Sequence, residues 1–522
     1  MSTVVNSVTF NKGQGGLGRP LPGQDYVSGL LYYTANGNLP TGFTTAARIK
    51  QLFQPSDAIA AGINNDYRDE TKAQAVYTLT AIGATGDNID LVVTEPEGVE
   101  VDLVTTPGAL VAGYLQKSTD TTITLLAASI AKAINALTYI HGYTATSAVG
   151  AVTINARPGL GIFLNTGTPL VVTITPEGSD MEGSITTAFA GGIASLQAVW
   201  YYHISEFFRM QPGGNLYVGF FPVAYTYVET VAMQTFAKGS IRQFGIYKDG
   251  TAYNVSDMTA IQNAVAVLDT KKTGVSVILG ADISAVEDLS TLATLATLNA
   301  PKASITIAQD GGAQGNALWH AYGKSITNVG AVLGAIALAA VNEDIGWVGK
   351  FNFSNGTELD TIAFANGVKF TDPSISDALI TQLNLLRYIF LTPVNADVAG
   401  SFVNDSHTAT PLNSDYAYIE NNRTIDKAIR GINTFMVPLL KSPLLLNSDD
   451  TLQDTTIAYF IGQAERATLQ MQKAQEVSAQ AVTIDPTQNV ATSSEVVVAV
   501  QLVPIGVARN ITVNIGFTAS IS

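Results

Sequence analysis

The order of apolar and polar positions divides the chain into stretches of different texture. Between residues 215 and 347, apolar runs alternate with helical patterns: strands at 216–221, 241–247, 275–279 and 304–308, helices at 228–238, 258–270, 289–298 and 325–342. Unbroken apolar runs of strand length imply burial on both faces. Their alternation with helices predicts an α/β core, a mostly parallel sheet with helices on both faces. From about 75 to 192 the pattern changes to short alternating runs at 76–80, 89–94, 99–104, 152–156 and 171–174, separated by Gly and Pro. One helix near 124–137 interrupts them, with Leu125, Leu126, Ser129, Ile130, Ala133 and Leu137 on one face. The flanking chain does not continue this texture, so 75–192 reads as an inserted strand-rich α+β domain.

Beyond 350 the pattern predicts a helix near 374–386, a strand at 388–393, helices near 424–440 and 455–479, and terminal strands at 495–503 and 509–518. At the other end, Val4, Val5 and Val8 precede a run containing Gly13, Gly15, Gly16, Gly18 and Gly23 with Pro20 and Pro22. Such a segment has little core of its own. It is either a frayed terminus or an arm that orders by adding a strand to another sheet. Residues 42–61 read as helix and loop around Ile49, Leu52 and Phe53. The expected division is an arm at 1–24, the α/β core at 25–74 with 193–350, the insertion at 75–192, an α+β C-terminal domain at 351–488, and a strand arm at 489–522.

Composition adds one strong constraint. Of 522 residues, 47% are hydrophobic and only 13% charged, against about 25% charged in ordinary soluble domains. The surface is therefore largely uncharged Thr, Asn, Ser and Gln, or is covered by other subunits. A net charge of −15 makes bulk nucleic-acid binding and anionic membrane surfaces poor partners. The longest weakly polar run, 329–341, contains two glycines and falls short of the ~20 apolar residues of a bilayer span, so no membrane insertion is expected. Residues 1–11 show no basic region followed by an apolar stretch, and no secretory leader is expected.

Candidate chemistry is thin. Cysteine is absent, which removes disulfides, thiol nucleophiles and cysteine-ligated metals. His141, His203, His320 and His407 are scattered singly, with no spacing that brings two rings to one metal. Gly323-Lys324-Ser325 lacks the first glycine of a phosphate loop, since Leu318 stands there and Trp319, His320 and Tyr322 crowd the interior. Asp310-Gly311-Gly312-Ala313-Gln314-Gly315 follows a strand, where α/β sheets bind ligands, and also fits a long tight turn. Asp66, Asp69 and Glu70 lie beside Arg68 and Lys72 as a mixed-charge stretch, and 447–450 lacks the glycine and distal glutamate of a calcium loop. Neither a catalytic residue, nor a cofactor, nor a metal is expected.

The C-terminal third carries the most specific pattern. Glu420-Asn421-Asn422-Arg423-Thr424-Ile425-Asp426-Lys427-Ala428-Ile429-Arg430-Gly431, then Pro438-Leu439-Leu440-Lys441-Ser442-Pro443, the segment 447–452 and the hairpin-like tail 496–517 resemble contractile tail sheath proteins. The small-residue helix 330–341 followed by Asn342-Glu343-Asp344-Ile345-Gly346-Trp347 is similar to that family's core. The resemblance spans roughly 215–522, and the N-terminal arm matches in character only. It implies an α+β sheath domain at 351–488 and a non-enzymatic subunit of a bacteriophage tail, tailocin or contractile injection system. That subunit polymerises helically around a tail tube and contracts to drive the tube through a cell envelope. Implied partners are further copies of the chain, joined by strand exchange through both arms, the tube protein, and baseplate and terminator or cap proteins. The implied setting is the cytoplasm of the producing bacterium, then the virion tail or injection particle.

On this resemblance Arg423, Asp426, Lys427 and Arg430 are candidates to face the tube. By spacing alone, Ile425, Ala428, Ile429, Ile432, Phe435 and Met436 form a buried stripe and the charged residues a solvated face. Glu465, Arg466, Lys473 and Glu476 are equally placed to line the lumen. Val4, Val5, Val8, Val496, Val498, Val500, Ile511, Val513 and Ile515 are the expected intersubunit strand positions, and the 34 residues of 489–522 span ~100 Å when extended. Two rival readings stand beside this one: a soluble α/β enzyme with a site near 310–315, and an extracellular lattice or adhesin protein.

Overall fold

The computed structural model describes residues 24–248, 252–395, 398–513, 515 and 517. Its largest sheet has six strands in the order Ala303–Thr306, Ser276–Gly280, Gln243–Tyr247, Val27–Tyr33, Asn215–Phe221, Ile49–Leu52. Five run parallel and the edge strand Ile49–Leu52 is antiparallel. Every residue of Val27–Tyr33 is buried, as a central strand covered on both faces requires. Gly245 lies against Leu333 and Val329 of the helix Val329–Leu338. Gly219, one residue out of that register, lies against Met233 of Glu229–Phe236, so helices cover both faces.

Helices Leu196–Met210 and Val329–Leu338 approach through Gly330 and Gly334. A Cβ at Gly330 would stand 2.2 Å from the His203 carbonyl oxygen, and one at Gly334 2.6 Å from that of Phe207. The obstacle is backbone, which yields less than a side chain. Gly330→Val is therefore expected to destabilise at or above the ~1–3 kcal/mol typical of overpacking. A circular dichroism melt unchanged from the parent would show that the helices are not held this close.

A second core, separate from the first, belongs to residues 73–189. It is built from two four-stranded sheets, one of them ordered Glu182–Ala190, Gln74–Ala81, Ala151–Asn155, Thr144–Ala148, with the helix Ile123–Ala136 against them. That helix buries Leu126, Ala127, Ile130, Ala131 and Ile134, a face rotated from the expected one, and Leu125 is exposed. Glu70 ties the insertion to the core by accepting the Gly159 and Gly161 N–H groups at 2.7 and 2.6 Å. Glu97 adds contacts to Lys369 at 2.9 Å and His320 at 3.2 Å.

Several elements differ from expectation. The strand expected at 304–308 divides: Ala303–Thr306 stays in the large sheet, while Ala308–Asp310 pairs with Ile362–Phe364. The helix expected at 289–298 is a single turn, Leu289–Thr291, because three-residue leucine spacing also suits an irregular loop that buries Leu289, Leu292 and Leu295. Ile49–Leu52 is a strand rather than helix, followed by the short helix Pro55–Ala60. Among the described residues no helix is long and apolar enough to cross a membrane.

Candidate functional site

The glycine-rich strand end at 310–315 closes on itself. Asp310 is fully buried and accepts backbone N–H groups from Gly312 (3.2 Å), Ala313 (2.5 Å), Asn316 (3.0 Å) and Leu359 (2.9 Å). Glu358 accepts from Gln314 and Gly315 at 2.7 and 3.4 Å and from the Tyr202 hydroxyl at 3.2 Å. Burial, and then the neighbouring Asp310 charge, pushes Glu358 up to about 7. The donors that would cradle a substrate phosphate at the start of Gln314–Tyr322 are thus taken by the chain's own carboxylates. The enzyme reading loses its site. Gly323 is the left-handed cap that ends this helix, not part of a phosphate loop.

The histidines stand apart. His203 is fully buried, neither ring nitrogen has a hydrogen-bond partner, and burial pushes it down to about 3. His141 faces the Leu103 carbonyl, His320 meets Glu97 and His407 meets Asn384. Among the described residues no group of three or more His, Cys, Asp or Glu is arranged to hold a metal.

The helix Ile419–Met436 shields its charged residues from solvent along with most of the expected apolar stripe. Arg423 is buried and donates to the Ala340 and Ala339 carbonyls, both at 3.1 Å, capping the C-terminal end of Val329–Leu338 where a cation also suits the helix dipole. Asp426 accepts from Lys302 at 2.6 Å. Lys427 bridges Asp25 at 2.8 Å and Glu476, and Arg430 stands 3.7 Å from Asp25. Burial pushes Asp25 up, but Lys427, with Arg423 and Arg430 beside it, holds the carboxyl below the ordinary aspartate value. The four charged residues expected to face a tube are therefore turned inward, as a clasp between this helix, the start of the central strand and the strand Val477–Thr483. The expected solvated face is shielded, while of the expected buried stripe Ala428 is buried, Ile425, Ile432, Phe435 and Met436 are half-buried and Ile429 is 40% exposed. Periodicity located the polar face but not its burial, because buried ion pairs look like a solvated face in sequence. On the second helix, Asp454–Lys473, Arg466 and Lys473 remain exposed, whereas Glu476 lies beyond the helix end and is committed to Lys427.

The tail corrects a further expectation. Ala499–Pro504 pairs antiparallel with Val477–Thr483 of the same chain, with Val500 opposite Val482. Val496 and Val498 pack on a small core of Leu452, Phe460, Ile484 and Val490. Val496, Val498 and Val500 thus belong to their own subunit's domain here. Val4, Val5 and Val8 lie outside the described residues. Past Pro504, Ile511, Val513 and Ile515 are in no strand and are 81%, 77% and 94% exposed. A single anchor precedes them. Arg509 Nε meets both Asp405 oxygens at 3.0 Å, Nη2 meets Glu420 at 2.6 Å and Asp344 at 3.1 Å, and the guanidinium carbon lies 3.5 Å from the centre of the Tyr418 ring. Burial, and then Asp344, pushes Glu420 up to about 7 and Asp405 to about 6. Burial works against the Arg509 charge, yet the surrounding carboxylates hold it above the ordinary arginine value. Arg509 is the one charged residue in 496–522, and that isolation is the signal by which sequence reasoning could have found it.

The family described as DUF2586, C-terminal domain, matches residues 415–522, the part that contains the clasp helix, the hairpin and the anchored tail. No curated protein matches the chain. Among solved structures, the helical sheath of the anti-feeding prophage in its contracted state is similar at 12% identity and a TM-score of 0.43, over 64% of this chain and 84% of that one. The baseplate of the anti-feeding prophage is similar at 12% identity and a TM-score of 0.40, over 62% of this chain and 80% of that one. Both likenesses are loose.

Proposed function

We propose that the chain is a non-enzymatic structural subunit of a contractile sheath, which polymerises around a tail tube and shortens to drive it through an envelope. The observation that carries this reading is the tail: Ile511, Val513, Ile515 and Phe517 alternate along the sequence, all exposed, beyond a two-stranded hairpin whose outer edges pair with no other strand among the described residues. A strand with one apolar face and no sheet of its own is made to pair with another chain. A contact in which each copy's tail reaches the next copy is heterologous, and where its rotation does not close on itself it builds an open helix. The charge-poor surface suits association through backbone pairing.

On this reading the N-terminal Val4, Val5 and Val8 supply a second arm, and the insertion at 75–192 projects outward, where it leaves both arms free. The tube-facing wall falls to the exposed Arg466 and Lys473, since the clasp residues are occupied. Baseplate and cap proteins bound the polymer, which assembles in the producing cell before it serves as a tail or injection particle. Electron microscopy of the expressed protein, alone and with its tube, tests this. Long hollow tubes are expected from the parent, and loss of co-assembly with the tube from an Arg466→Glu, Lys473→Glu variant. Discrete particles or flat arrays from the parent would remove the sheath reading, and unchanged co-assembly of the variant would remove that wall.

A further inference from the structure

Among the described residues of 505–517, Arg509 alone hydrogen-bonds to the rest of the chain. The preceding segment from Ile505 to Ala508 carries Gly506 and lies in neither helix nor strand. Arg509 enters a cleft of about 1570 Å³ bounded by the tail itself and by residues from 340–349 and 384–418. Three carboxylates face one guanidinium there. Arg387, whose guanidinium lies 5.1 Å from the centre of the Tyr418 ring, is the second cation in contact with this ring. In the same cleft His407 Nδ1 is buried without a partner, so the polar lining is not saturated by its present occupant.

We propose that Asp344, Asp405, Glu420 and the Tyr418 ring form a guanidinium receptor, and that its occupant in the assembly is Arg509 of a second copy of this chain. This rests on the reading of the chain as a self-assembling subunit. A planar fork that meets three carboxylates while its face lies on an aromatic ring is a demanding geometry, which lysine does not reproduce. The same contacts form whether the tail comes from within or from a neighbour, so exchange trades one set of bonds for an identical set. What tips the balance is the rest of the tail. Docked at home, Ile511, Val513 and Ile515 stay in water; carried to a neighbour, they gain a surface to cover. The receptor sets the register, because one guanidinium position fixes which tail residues follow onto that surface.

Complementation between two full-length variants tests this at pH 8, above the value near 7 to which Glu420 is pushed. Arg509→Ala keeps the receptor but loses its key; Asp405→Asn with Glu420→Gln keeps the key but removes two of the receptor's three carboxylates. Each alone is expected to sediment as a monomer, and their mixture to give a two-chain species. Arg509→Lys, which retains the charge and guards against misfolding of the alanine variant, is expected to replace the key at least tenfold less well than arginine. A mixture that stays monomeric, or an Arg509→Ala protein that forms tubes like the parent, overturns the receptor while leaving the subunit reading intact. A parent protein that forms no tubes under any condition removes that reading instead.

Discussion

Lys427→Glu is expected to detach the helix Ile419–Met436 from the core, with a loss of stability of about 3–5 kcal/mol or more. The ammonium stands between Asp25 and Glu476, and all three side chains are at least four-fifths shielded from solvent. Reversal would crowd three carboxylates into that space, with Arg430 as the nearest remaining cation. A surface lysine would behave otherwise, since substitutions outside such networks usually stay within ~0.5 kcal/mol. Urea denaturation followed by circular dichroism distinguishes the two. A midpoint equal to the parent's would mean that Lys427 faces outward after all and is again available to a tube. Lys427→Met with Asp25→Asn and Glu476→Gln is expected to recover much of the loss, because removing a whole buried network costs far less than orphaning part of it.

Two truncations are expected to give opposite results. Ending the chain after Val490 removes Val496, Val498, Val500 and Leu502, which are half-buried against the hairpin strand and its small core. At roughly 1.5–3 kcal/mol for full burial of each, half burial of four amounts to about 3–6 kcal/mol, a large part of a ~5–15 kcal/mol stability. The Arg509 anchor goes with them, leaving Asp344, Asp405 and Glu420 without their cation. Ending after Asn510 keeps hairpin and anchor and removes the alternation that begins at Ile511, whose described residues are exposed. The shorter chain is expected to aggregate or melt early, and the longer one to remain a folded monomer that forms no tubes. Sedimentation and thermal melting read both. Tubes from the chain ending at Asn510 would sink the arm model, and near-native melting of the chain ending at Val490 would show that the hairpin contributes little to its own subunit.

The core strands at 215–221, 243–247 and 276–280 were legible because a parallel strand covered on both faces must be apolar throughout. The helix Ser256–Thr270 was legible from its 3.6-residue repeat. The central strand Val27–Tyr33 went unmarked beside the glycine-rich opening, although its seven residues include no charge. The helix Leu196–Met210 was missed as well; it carries Glu206 and Arg209, which pair at 2.6 Å and so pass as a solvated stretch. In the candidate site, the charged residues of the clasp helix are legible as a cluster, but their burial is not. Asp25, Lys302 and Glu476 lie up to several hundred positions away, and no local pattern ties them to it.

The sequence by itself determined that this chain has a covered parallel sheet, a separate strand-rich insertion, no cysteine chemistry, and an alternating apolar tail. Those properties follow from local periodicity and composition, which depend on near neighbours along the chain. Only the tertiary structure decided that Arg423, Asp426, Lys427 and Arg430 point inward, that Val496, Val498 and Val500 stay at home, and that Arg509 anchors the tail. Each of these depends on charges and edges brought together from distant parts of the chain. A buried ion pair and a solvated one are spelled with the same residues, and they differ only in what the fold places opposite.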